Sequence, residues 1–271
     1  MWIKLRLLFV LLLGWTTQQI MAQQIISTND FEINLPEGWE CKYTEELGKT
    51  VHRFEKRSKV YAINVFAIPL YPDVAFELFL PRGTKYMKMV DVQISQMVNG
   101  TEFKCKWLQN DKSDSNIIGC VYTAVRDDKT IVIQEINRSD SLSVGENLLE
   151  LFQWPEVTSL SLTDRVERFC QTMNDLLEKS NSMSGLIFKH SAENKKFIIE
   201  YHLQDQEEEA KEQNKMKKDE KLQELFFGFI PLFAEMGKDG YNFQMSKYLM
   251  DGEKESEIVY QPEDYRHLLE E

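Results

Sequence analysis

The stretch FEINLPEGWECKY alternates apolar and polar positions, with Phe31, Ile33 and Leu35 on one side of an extended chain. A period of two is the signature of a half-buried strand. Pro36-Glu37-Gly38 then reads as a turn, because proline presets one dihedral and glycine accepts the unusual one. Trp39 and Tyr43 are expected to cover the core edge beyond it. TVHRFEKR and KVYAINVFAIP follow as a hairpin around Ser58-Lys59, with Tyr61, Ile63, Val65 and Ala67 on one face. Then the spacing changes. Tyr86, Val90, Ile94 and Met97 recur at helical intervals, which predicts an amphipathic helix over 86–98 that ends at Asn99-Gly100. Three strands are expected next, over 101–109, 116–126 and 129–137, the last two linked tightly by Asp127-Asp128.

A short apolar patch runs from Leu148 to Trp154 and stops at Pro155. Ser161-Leu162-Thr163-Asp164 has the hydroxyl cap and early acid of a helix start. Leu162, Val166, Phe169, Cys170, Met173 and Leu177 form the apolar stripe of that helix, and Asn181 to Gly185 closes it. A domain boundary is placed there. Beyond it, Leu186–His190 and Lys196–Leu203 read as a hairpin. The charged run from Asp205 leads into FFGFIPLF, where Pro231 ends regular helix by removing a backbone donor. Two strands, 241–250 and 255–261, and a short terminal helix complete the chain. The fold class is therefore α+β: residues 23–180 form a sheet with packed helices, and 181–271 a smaller hairpin-helix-hairpin unit.

The N-terminus changes the picture of where the chain works. Lys4 and Arg6 precede the apolar run Leu7–Trp15, and TTQQIMA leads to Ala22. This is the order of a secretory signal peptide, residues 1–22, with cleavage expected after Ala22. The run is about nine residues, too short for a bilayer that needs roughly 20, so no membrane span is expected after cleavage. Secreted or periplasmic is the expected location. Cleavage removes two cations from a chain with formal net charge −12. Such acidity, without a basic stripe interleaved with aromatics, argues against nucleic acid as a partner.

The four cysteines then matter. With the turn centred between Lys112 and Ser113, Cys105 faces Cys120, Trp107 faces Ile118 and Phe103 faces Tyr122, all on one face. Directly opposed residues lie within disulfide range. The bridge would close a loop of about 15 residues, for which loop entropy gives roughly 3 kcal/mol. Two packed thiols beside Trp107 are the other reading of the same pair. Cys41 and Cys170 could pair with each other, though nothing local requires it, and no close cysteine pair with zinc spacing is present.

Candidate chemistry is sparse. His52, His190, His202 and His267 lack partners at zinc spacing, and H-E-x-x-H, G-x-S-x-G, the Walker loop and G-x-G-x-x-G are absent. Asp111 and Asp114 lack EF-hand spacing. No catalytic residue, metal site or cofactor is assigned. Phe226, Phe229 and Phe233 share a stripe with Leu222; they form either core or the lining of a groove for an apolar ligand or a protein partner.

FEINLPEGW, the hairpin after it, a crossover, the strands through TIVIQEIN and the helix near RVERFCQTM together resemble the PsbP/DcrB-type extracytoplasmic fold, over roughly residues 30–177. The resemblance implies an antiparallel sheet between helices and a non-enzymatic role in binding or assembly. The glutamine start after the signal is similar to that of secreted Bacteroidota proteins, which implies a Gram-negative envelope. The function read from all this is an exported binding or assembly protein of the cell envelope. The alternative is an extracytoplasmic hydrolase with a site built from dispersed residues.

Overall fold

The computed structural model describes residues 24–46, 49–57, 59–78, 87–110, 117–137, 148–157, 159–180, 185–203 and 227–269. The signal segment, Phe226 with the charged run before it, and the turn holding Asp111 and Asp114 lie outside the described residues.

The central element is a seven-stranded sheet. Its strands are β3 (Glu40–Glu46), β4 (Lys49–Lys56), β5 (Lys59–Phe66), β6 (Met87–Val98), β7 (Thr101–Asn110), β8 (Ile117–Arg126) and β9 (Lys129–Asn137). They lie in the order β3-β4-β5-β9-β8-β7-β6, every neighbouring pair antiparallel. The alternation read in β5 places Tyr61, Ile63 and Val65 on one face. A three-stranded sheet covers that face, built from β1 (Gln24–Ser27), β2 (Glu32–Leu35) and β10 (Phe152–Gln153). Phe31, Phe54 and Phe152 meet edge-on between the two sheets, with ring centroids 5.2–6.5 Å apart. Each such ring contributes roughly 1.5–3 kcal/mol by leaving water. The other face is covered by helix α1 (Pro72–Leu78), whose Ala75 and Phe76 pack with Phe66, Val121 and Val132. Burial on both faces explains why the middle strands read as nearly continuous apolar runs.

Three expectations need correction. Residues 87–98 form strand β6, not a helix. Asn99 and Gly100 both have positive φ (45° and 82°) and join Val98 to Thr101 as a two-residue hairpin. Asn-Gly between apolar runs is the strongest short hairpin signal, and β-branched Val90, Val92, Ile94 and Val98 favour a pleated surface. The second correction concerns the thiols. Cys105 pairs with Tyr122, and Cys120 with Trp107, two residues away from the expected register. The pairing shifts by one residue at Leu108/Gln109, on the turn side of the thiols, and Cys105 and Cys120 lie diagonally on one face and are unbridged. The third is Tyr43, which is 55% exposed, whereas Trp39 is buried as expected.

Gly119 explains how tightly β8 sits on β9. A Cβ there would lie 1.9 Å from the Glu135 carbonyl oxygen. The row Tyr61–Glu135–Cys120–Trp107 then runs across four strands beside it.

A third sheet holds β11 (Leu186–Ser191), β12 (Lys196–His202), β13 (Asn242–Tyr248) and β14 (Lys254–Tyr260), in that order. β12 and β13 run parallel, which requires a crossover. Helix α3 (Pro231–Lys238) lies on that crossover, with Leu232, Phe233 and Met236 buried. Helix α2 (Leu162–Ser180) packs beside it, and α4 (Pro262–Tyr265) closes the end with buried Tyr265. The chain is thus mixed α+β, built mostly from antiparallel sheets.

Candidate functional site

Helix α2 connects the two larger sheets, and its sequence shows how. Ser161 caps it: the Asp164 amide donates to Ser161 Oγ at 3.1 Å, and the hydroxyl donates to the Asp164 carboxylate at 2.6 Å. Its apolar stripe (Leu162, Val166, Phe169, Cys170 and Met173) packs into the core of the four-stranded sheet. Phe169 meets Phe233 edge-on at 5.4 Å. Burial pushes the Cys170 thiol up to about 12, as expected of a plain core cysteine. Asn174 fixes the helix further. Its side chain accepts from the Phe188 amide at 2.8 Å and donates to the Phe188 carbonyl at 2.9 Å. The boundary expected near 180 falls between this helix and the sheet it packs on.

Arg165, Arg168, Thr172, Asp175, Leu176 and Lys179 follow on another face, at helical spacing. The first half of that face is held against the seven-stranded sheet by ion pairs. Arg165 lies 2.8 Å from Asp128 Oδ1 and 2.5 Å from Glu235 Oε2 of α3. Arg168 lies 2.9 Å from Asp128 and 3.1 Å from Asp127. Both aspartates form the two-residue turn between β8 and β9, with φ of 49° and 55°. Hydrogen bonds to Glu235 and Asp128 hold the Arg165 guanidinium well above its usual range. For Arg168, partial burial works against the charge. Its bonds to Asp127 and Asp128 outweigh that and raise it.

Beyond this latch the second half of the face stands away from the sheet and leaves a cleft of about 480 Å³. Thr172, Asp175, Leu176 and Lys179 form one wall. Glu45, Lys49, Thr50, Val65 and Ala67, from the ends of β3 to β5, form the other. Asp30 and Lys129 lie between them, paired at 2.5 Å. Glu45 accepts from the Tyr43 hydroxyl at 3.0 Å, and that bond raises the phenol above its usual range. His52 lies two residues beyond Thr50 on the same strand. It is buried against the edge of Phe31 at 5.0 Å, with Nδ1 lacking a hydrogen-bond partner. Burial lowers its pKa, partly opposed by Asp30.

The site residues expected from the sequence go elsewhere. Phe233 is core and Phe229 is 38% exposed, so the expected stripe is divided, with Phe229 before the start of α3 at Pro231 and Phe233 within it. Cys105 and Cys120 hydrogen-bond to each other in the first core, and Tyr122 also bonds Cys120. Those bonds hold the Cys120 thiol low against the effect of burial, while the Cys105 thiol is pushed up. The cleft itself was missed. Its helix wall was visible as the polar side of an amphipathic stripe, but nothing local says what such a side faces.

Among the described residues no helix is long and apolar enough to cross a membrane, and no cluster of three metal-ligating side chains occurs. No family model and no curated protein matches the chain. Among solved structures the chain is similar to the crystal structure of a protein from Bacteroides thetaiotaomicron VPI-5482, with TM-score 0.29 and 9% identity over 62% of this chain and 82% of that one. It is also similar to the cyanobacterial PsbP (CyanoP) of Synechocystis sp. PCC 6803, with TM-score 0.39 and 12% identity over 51% of this chain and 96% of that one, a weak likeness of fold.

Proposed function

We propose that the protein is an exported, non-enzymatic binding protein of the cell envelope, and that the cleft beside α2 holds its ligand. One observation carries this reading. A single helix face is paired to the sheet by arginines along one half and lines a cleft of about 480 Å³ along the other. That volume falls within the roughly 300–1,000 Å³ of small-molecule sites. Its walls carry charged and hydroxyl side chains placed to hold a ligand through hydrogen bonds and charge. The signal-like N-terminus supports export.

The test is a thermal-shift panel of four probe classes: short peptides, dicarboxylates, polyamines and neutral sugars. Wild-type protein is compared with Thr172→Trp, which fills the cleft from a partly exposed helix position. Stabilisation of the wild type by one class, lost in the variant, is the expected result. If no class stabilises the wild type, or if the variant responds equally, the cleft is not a binding site.

A further inference from the structure

We infer that the cleft takes a short peptide with both ends free, its amine and carboxylate read by opposite charges one turn apart on the helix wall. This rests on the binding role proposed above and names the ligand class. Each wall carries both signs. The helix wall offers Asp175 and Lys179, one turn apart on one face; the sheet wall carries Glu45, which accepts from Tyr43, and Lys49, which lies over the Phe66 ring. Asp30 and Lys129 already neutralise each other between them. A ligand of a single sign would be attracted by half of these groups and repelled by the other half. A ligand carrying both signs can satisfy both halves in one orientation.

The uncharged lining fits the middle of such a molecule. Thr50 and Thr172 face the cleft from opposite walls, and each hydroxyl both donates and accepts, as a peptide group requires. Val65, Ala67 and Leu176 give an apolar strip for one side chain. Size sets the length. If roughly cubic, the cleft has an edge of about 8 Å, and two or three extended residues span about 7–10 Å. A peptide with free ends has no net charge, so its association rate is expected to change little with salt, whereas the partly exposed ion pairs at its two ends weaken as salt screens them.

The experiment titrates full-length mature protein by calorimetry with Ala-Leu-Ala and with its N-acetylated, C-amidated and doubly capped forms. The free tripeptide is expected to bind, and each single cap to weaken it roughly two- to fivefold, the range of one partly exposed ion pair. Asp175→Asn should abolish the penalty of N-acetylation, and Lys179→Gln that of C-amidation. Both positions are exposed, so folding is retained, with far-UV circular dichroism as the check. Equal affinity for free and doubly capped peptide overturns the inference. So does binding of a different probe class that Thr172→Trp blocks while free peptides fail; in that case the cleft remains a binding site with another ligand. Failure of every probe class removes both the inference and the reading beneath it.

Discussion

Asp128→Asn tests whether the latch fixes α2 against the seven-stranded sheet. The choice of asparagine matters. Residue 128 has φ of 55°, and asparagine is among the few residues that accept this region readily. The substitution therefore removes the charge and keeps the backbone. In the wild type the carboxylate meets Arg165 at 2.8 Å and Arg168 at 2.9 Å. Its side chain is 10% exposed, against 25% and 38% for the two arginines. Exposed pairs contribute about 0–1 kcal/mol, and breaking a fully buried pair costs about 3–5 kcal/mol. This arrangement lies between those limits. Asparagine also keeps one carbonyl acceptor, and Arg165 keeps Glu235. A loss of about 2 kcal/mol follows. Urea unfolding followed by circular dichroism at pH 7 measures it. Repeating the titration in 1 M salt, where the Debye length is about 3 Å, should shrink the difference. A loss below about 0.5 kcal/mol, or one independent of salt, would refute the argument that these ion pairs hold the helix.

Phe233→Ala should cost about 3–5 kcal/mol because it empties the second core, while Phe229→Ala, at a partly exposed ring, should change stability by no more than about 1 kcal/mol; urea midpoints separate the two. His52 gives a pH dependence. Its folded pKa lies below the unfolded value, so its contribution is complete above about pH 6.5 and is lost as pH falls from there through the folded pKa. His190 is lowered too, chiefly by burial, and adds to the same slope. His52→Phe should reduce but not remove the acid-side loss seen in thermal melts, and an unchanged slope would count against burial as its cause. Finally, alkylation of denatured, unreduced mature protein should add four adducts by intact mass, because the offset register leaves Cys105 and Cys120 unbridged. Two adducts would mean that β7 and β8 pair in the register in which the thiols are opposed.

Local signals fixed a good deal of this molecule. Strands 101–110, 117–126 and 129–137 follow from their apolar patterns and from the turn residues that separate them. The Ser161 cap and the stripe of α2 were equally plain, because capping and helical periodicity involve residues within one or two turns. Over 86–98, two periods competed. Val90, Ile94 and Met97 suit a helix, yet the Asn-Gly that follows makes a hairpin, and pairing with β7 decided the outcome. Long-range facts were out of reach for a physical reason. The thiol register is two residues from the opposed one, and a shift of two keeps every side chain on the same face, so alternation reads the same in both. The cleft depends on where the polar side of α2 comes to rest. Periodicity says which residues share a face, but only packing of Phe169 against Phe233, and of Arg165 and Arg168 against a turn nearly 40 residues earlier, decides what that face meets.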